Sequence, residues 1–199
     1  MARNIQPIAK RCKALGISPA VLGYSKKTTI RNPKGQMRRK QSEYGLQLQE
    51  KQKVKFIYGV MERQLRNYFE IAQRRTGQTG ENLLSILETR LDNVVFRLGF
   101  ATTRAEARQM VTHGHITVNG KRVNIPSFLV KPGMVISMKE SSRSTPKFKA
   151  NLEENSYRTQ PKWIDYDKEN VTAKIVAVPV REDIDVPIEE HLIVEFYSK

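Results

Sequence analysis

Within residues 91–138 the spacing of apolar side chains changes period, and that change limits what the chain can become. Leu91, Val94, Val95 and Leu98 recur at intervals of three and four, the signature of one helix face. After Gly114 the pattern alternates: Ile116 and Val118 point one way, Asn119-Gly120 follows, and Val123 and Ile125 resume the inward side. Asn-Gly is the strongest short signal for a two-residue hairpin turn. Between the two patterns, Thr103 and Glu106 have the spacing of a capping box, in which hydroxyl and carboxylate each satisfy an orphaned backbone N–H. The helix opened by this box is expected to bury Ala105 or Ala107 with Met110 and Val111. It carries Arg104 and Arg108 one turn apart on the outward face, where two guanidinium groups can span adjacent phosphates. Short helices followed by a hairpin with Lys121-Arg122 just past its turn make a module suited to holding a polyanion.

Charge points the same way. Lys and Arg number 35 against 20 Asp and Glu in 199 residues, a formal +15, and the sequence pI is about 10.0, the electrostatic footprint of a nucleic-acid binder. The excess is uneven: +14 over residues 1–75, +6 over 76–150 and −5 over 151–199. A polyanion is therefore expected on the first two thirds, and the acidic end is expected to have another task.

Residues 1–42 contain eleven basic side chains and no acidic one, interrupted by Pro7, Pro19, Pro33 and Gly16, Gly23, Gly35. Self-repulsion predicts partial disorder there until a polyanion neutralises it. Ile5, Ile8, Leu15, Ile17, Val21, Leu22 and Tyr24 argue against a pure linker. Residues 46–75 form the longest helical pattern, with Val54, Ile57, Tyr58, Met61, Leu65, Tyr68, Phe69 and Ala72 on one stripe and Gly59 weakening its middle. Residues 81–98 read as two more helices. Residues 135–138 read as a third strand, 141–149 as a polar basic linker, 171–180 as one or two further strands, and 187–197 as a terminal helix or strand.

Several classes are disfavoured. No run of 18 apolar residues exists, so no membrane span is expected. No apolar signal region precedes Lys10-Arg11-Cys12-Lys13, and one cysteine cannot form a disulfide within the chain, which suits a reducing cytoplasm. Neither C-x-x-C nor H-E-x-x-H occurs, so no metal is expected. Asp165-Tyr166-Asp167 offers two carboxylates, but adjacent acids on a surface strand read as solvated charge rather than an acid/base pair, and no cofactor or catalytic residue is expected.

Taken in order, Tyr44-Gly45-Leu46-Gln47-Leu48-Gln49-Glu50-Lys51, Ile57-Tyr58-Gly59-Val60-Met61-Glu62-Arg63-Gln64, Gly80-Glu81-Asn82-Leu83-Leu84, Arg90-Leu91-Asp92-Asn93-Val94-Val95 and Leu192-Ile193-Val194-Glu195-Phe196-Tyr197-Ser198 resemble the ribosomal S-four family, that of the fourth protein of the bacterial small subunit. The resemblance runs from about residue 44 to the end. It implies an α+β fold: a helical domain (44–90, with a return segment 181–199) carrying an inserted RNA-binding domain (91–180, core module 91–138) of short helices packed on a small antiparallel sheet, preceded by a basic N-terminal extension (1–43).

It further implies a structural constituent of the small ribosomal subunit that binds small-subunit ribosomal RNA directly, nucleates assembly of the subunit body, and contributes to translational accuracy where it meets ribosomal protein S-five. The expected RNA contacts are Arg3, Lys10, Arg11, Lys13, Lys26, Lys27, Arg31, Lys34, Lys51, Lys55, Arg63, Arg66, Arg104, Arg108, His113, His115, Asn119, Lys121 and Arg122, with Arg38, Arg39 and Lys40 at the messenger-RNA entry channel. Localisation on the cytoplasmic ribosome follows, with an organellar ribosome left open, and no homo-oligomer is expected. Glu189, Glu190 and Glu195 are expected against basic helix surface or a neighbouring protein. Many relatives bind zinc through an N-terminal cysteine cluster, whereas Cys12 stands alone here. Pro33-Lys34-Gly35-Gln36-Met37 replaces the family's Pro-Gly-Gln-His-Gly turn. The rival reading is a free-standing RNA-binding or chaperone protein sharing only the 91–138 module; it gives no reason for a long helix before the module or an acidic end after it.

Overall fold

The structure, a computed structural model, describes residues 7–24 and 42–198. The chain divides into two compact units, Met1–Asn82 with Val186–Lys199, and Leu83–Asp185. These boundaries differ from the expected 90/91 and 180/181. Polar ties explain the shift: Glu88 binds Asn93 and Arg97, Arg90 bridges to Leu129, and Arg97 reaches Asp185.

In the first unit, α1 (Ile8–Leu15) and a 3-10 turn (Pro19–Leu22) precede α2 (Glu43–Ile57) and α3 (Glu62–Gln73). Cys12, Leu15, Ile17 and Leu22 are buried, and Arg11 Nη2 donates to Gln52 Oε1 at 3.0 Å. Residues 7–24 are therefore folded within a segment expected to be partly disordered, because burial of Cys12 and Leu15 on one face of α1, with Ile17 and Leu22 beyond it, outweighs repulsion among a few solvated cations. The predicted continuous helix of residues 46–75 is two helices. At Gly59 φ is +62°, a left-handed conformation costly for other residues, and Val60 N–H closes back on Lys55 O at 3.0 Å. Met61, placed on the apolar stripe by spacing, is exposed as the residue preceding α3.

The terminal α9 (Glu190–Ser198) settles the helix-or-strand alternative. Its ring of Tyr197 lies 4.8 Å from Phe69, Lys51 Nζ lies 4.1 Å over the Phe196 ring, and Glu195 accepts from Gln47 Nε2 at 2.9 Å. The acidic return thus meets α2 and α3 through aromatic and amide contacts. Lys51 and Lys55, expected as RNA contacts, pair with Glu62 at 2.9 Å and 2.7 Å. Tyr197 donates a third bond to Glu62 at 3.0 Å.

After α4 (Thr79–Glu88), which spans the unit boundary, the second unit contains α5 (Leu91–Arg97), α6 (Arg104–Thr112), β1 (Ile116–Val118), β2 (Lys121–Arg122), β3 (Val135–Met138), α7 (Glu140–Arg143), α8 (Pro146–Glu154), β4 (Ile164–Asp167) and β5 (Thr172–Ile175). The sheet is antiparallel throughout in the order β2-β1-β3-β5-β4, with Ile116 opposite Met138 and Ile136 opposite Ala173. Its inner face meets Leu91, Val94, Val95, Phe100, Ala107 and Val111 from the helices, with Trp163 and Phe148 completing the core. Ala105 and Ile125 are exposed, so the alternation ends after Val123. The expected linker 141–149 is largely helical: Pro146 occupies the first turn of α8, where its missing N–H costs nothing.

Candidate nucleic-acid interface

The cations of the second unit fall into two populations. Arg90 is fully buried and grips Asp92, Nε to Oδ1 at 3.0 Å and Nη2 to Oδ2 at 2.5 Å. Arg108 reaches the same carboxylate at 3.4 Å. Arg104 is buried, donates from Nε to Asn93 Oδ1 at 2.9 Å, and stacks 4.3 Å over the Phe96 ring. Asn93 in turn donates to Glu88, which Arg97 holds with two bonds, 3.1 and 2.9 Å. The expectation that Arg104 and Arg108 face outward is overturned. One turn of helix separates them as predicted, but the face they share is covered by α5, whose Asp92 and Asn93 supply acceptors that a buried guanidinium requires.

The exposed cations include a group around the β1–β2 hairpin. Its turn has positive φ at both Asn119 and Gly120, +49° and +75°. Asn119 is exposed, yet its side-chain carbonyl accepts from Val135 N–H at 2.8 Å, fixing the turn to β3. Lys121 and Arg122 are exposed on β2. Arg122 lies across Gly114, where a Cβ would meet its Nε at 2.0 Å, and donates to His113 O at 3.2 Å. Gly114 has φ +74°, a conformation that favours glycine, and its missing side chain leaves room for the guanidinium. His113 is exposed and its ring stands 6.1 Å from His115, which is half-buried and bonded through Nδ1 to Ser142 Oγ at 2.9 Å. Burial lowers the His115 pKa, and the charges of His113, Arg122 and Lys139 lower it further. The positive charge that disfavours a further proton on His115 also favours an anion beside it.

The helix cap differs in detail from prediction. Thr103 Oγ accepts from Glu106 N–H at 3.2 Å, but the Glu106 carboxylate closes on Thr102, accepting from its N–H at 2.9 Å and its hydroxyl at 2.7 Å. Lys147 at 3.0 Å and Asn151 at 3.2 Å complete the ring of donors. Burial opposes ionisation of Glu106, yet the bonds from Thr102, Lys147 and Asn151 prevail and hold its pKa at about 2.

Of the other expected contacts, Lys10 and Lys13 are exposed on α1, Arg63 and Arg66 are exposed on α3, and Arg11, Lys51 and Lys55 are engaged as described. Arg3, Lys26, Lys27, Arg31, Lys34, Arg38, Arg39 and Lys40 lie outside the described residues. Sequence reasoning missed Lys139 and Lys147, which flank His115 and Glu106. Thr145-Pro146 followed by Phe148 and Leu152 was the available signal for the helix that carries Lys147. A cysteine-ligated zinc does not fit this chain, since its single cysteine is buried and burial pushes its thiol pKa up.

A small mixed module presenting a basic hairpin outside a buried arginine network is an S4 domain, whose family model matches residues 89–136; the model of the ribosomal protein S4/S9 N-terminal domain matches residues 3–88. Small ribosomal subunit protein uS4 of Ruminiclostridium cellulolyticum is 62% identical over 165 residues, covering 83% of this chain and 79% of that protein. The protein of the same name from Agathobacter rectalis is 55% identical over 199 residues, covering all of both chains, and that of Halothermothrix orenii is 53% identical, again covering all of both. The chain belongs to the uS4 family of small ribosomal subunit proteins.

Proposed function

We propose that this chain is a structural constituent of the small ribosomal subunit, with no catalytic role, that binds small-subunit ribosomal RNA directly through its backbone phosphates. The observation that carries the reading is the hairpin surface: Lys121 and Arg122 are exposed on β2, the charges of His113, Arg122 and Lys139 act together on His115, and the carboxylates of Asp92 and Glu106 in the same unit are held by Arg90, Arg108 and Lys147. Shape and backbone recognition suits structured RNA. The finer roles, nucleating the subunit body, supporting accuracy beside protein S-five, and lining the messenger-RNA entry with Arg38-Arg39-Lys40, are part of the same proposal and rest on family membership. So do the cytoplasmic ribosomal location and the assignment of 91–138 as the RNA-reading core. Matches to relatives over the whole chain favour this over a free-standing RNA chaperone, which shares only the module.

The test is a filter-binding titration of the full chain against small-subunit ribosomal RNA at rising salt. Counterion release makes the logarithm of the binding constant fall linearly with that of salt, by somewhat under one unit of slope per phosphate neutralised. A steep slope is expected. A flat one, or absence of co-sedimentation with small subunits, would overturn the proposal.

A further inference from the structure

Beside the basic hairpin, a cavity of about 250 Å³ opens between α6 and the α7–α8 segment. Its floor is Met110, Met138 and Phe148, and its rim carries Gln109, His115 and Ser142. An engineered apolar cavity of about 150 Å³ holds benzene, and pockets for drug-sized ligands begin near 300 Å³. The space therefore suits one planar ring system, not a whole nucleotide.

The chemistry of its walls narrows the occupant. Thioethers and an aromatic ring give a polarisable surface for a flat ring, and the amide, imidazole and hydroxyl at the rim offer both donors and acceptors. Glu106 is the one acid lining the cavity, and its oxygens are taken up by Thr102, Lys147 and Asn151. The exposed Glu140, which follows Lys139 at the start of α7, does not line the cavity. Around it stand His113, Lys139 and Lys147, with Arg122 held against the His113 carbonyl. A ring that fits the cavity would thus carry its phosphates into a cationic surround, the charge pattern of a nucleotide within a chain.

We propose that this cavity receives one unstacked base of the RNA bound by the surrounding surface. The inference rests on the RNA-binding reading above and adds a base-sized site to a surface that otherwise reads only backbone. Such a site makes affinity depend on an unpaired nucleotide at one position, as single-stranded and bulged RNA commonly provides.

The experiment fills the cavity from exposed positions on opposite walls, with Gln109→Trp and separately Thr145→Trp in the full chain, each checked by thermal melting. Binding to small-subunit ribosomal RNA is measured alongside dimethyl sulfate reactivity of its unpaired bases. The parent is expected to protect at least one such base. A variant that melts as the parent does is expected to lose that protection and about ten-fold in affinity, while the salt dependence from backbone contacts persists. Equal affinity with identical base protection in the filled variants, or weakened binding with no base released, would overturn the pocket assignment and leave the RNA-binding reading intact. Failure of the parent itself to bind would instead remove that reading, and the pocket with it.

Discussion

Arg104 and Arg122 belong to the same small module and have opposite fates. Arg104 is enclosed, with Asn93 as acceptor and Phe96 beneath it, whereas Arg122 lies in the open across Gly114. The difference teaches that formal charge in a binding module is not all binding charge. Arg90, Arg97, Arg104 and Arg108 are spent on Asp92, Asn93 and Glu88, and this interior network fixes α5 against α6. Among the described residues no carboxylate pairs with Lys121 or Arg122, which leaves both available to a phosphate.

Breaking the inner set should give the largest effect. Asp92→Ala leaves the buried Arg90 without its two-pronged acceptor, and removing one partner of a buried pair costs about 3–5 kcal/mol. A thermal or denaturant melt should show that loss. Arg104→Ala combined with Arg108→Ala should likewise unfold the module more easily, by about 2–4 kcal/mol, and any fall in RNA affinity should track the loss of folded protein. A double variant that melts like the parent but binds RNA weakly would return these arginines to the surface.

The outer set should respond the other way. Lys121→Ala with Arg122→Ala is expected to leave the melting temperature nearly unchanged, to weaken ribosomal RNA binding by about ten-fold, and to lower the salt slope by about 2. If stability falls instead, the distinction between the two populations fails.

Acid sharpens the comparison further. Glu106 and Glu62 both have pKa values held at about 2 in the folded chain; for Glu62, burial is outweighed by bonds from Lys55, Lys51 and Tyr197. Carboxyls depressed by folding contribute stability that is complete above the unfolded value of about 4.3 and is lost as pH falls toward 2. Glu106→Gln should flatten that acid limb and lower stability at neutral pH by on the order of 1 kcal/mol, allowing for solvent screening. The smallest effect concerns His115. Its folded pKa is lowered, so the free chain loses a little stability as pH falls through about 6.5. RNA phosphates bound beside His113, Arg122 and Lys139 would reverse the sign of the local field. NMR titration of the His115 ring should show its pKa rising when RNA binds.

Local order was readable where one stretch of chain suffices to specify it. The hairpin at Asn119-Gly120 and strand Val135–Met138 fall where spacing and turn chemistry put them. The Thr103 cap forms, while its acidic half moves to Thr102, because a long Glu side chain selects among neighbouring donors only once the turn before it is folded. Residues 141–149 were misread since Ser and Thr favour loops and caps alike, and Phe148 identifies a helix only when its partner Phe100 is in place, 5.5 Å away.

By itself, then, the sequence determined the hairpin and the strand after it, the family, the surplus of positive charge and its concentration away from the C-terminal end. Which cations face water was decided only by tertiary structure. A helix presents its arginines in a direction fixed by the backbone, but whether that direction meets solvent or Asp92 depends on a neighbouring helix whose placement follows from the burial of Leu91, Val94 and Val95. Desolvation makes those two outcomes energetically opposite: a guanidinium enclosed with an acceptor holds the fold, and one left in water is available to a phosphate.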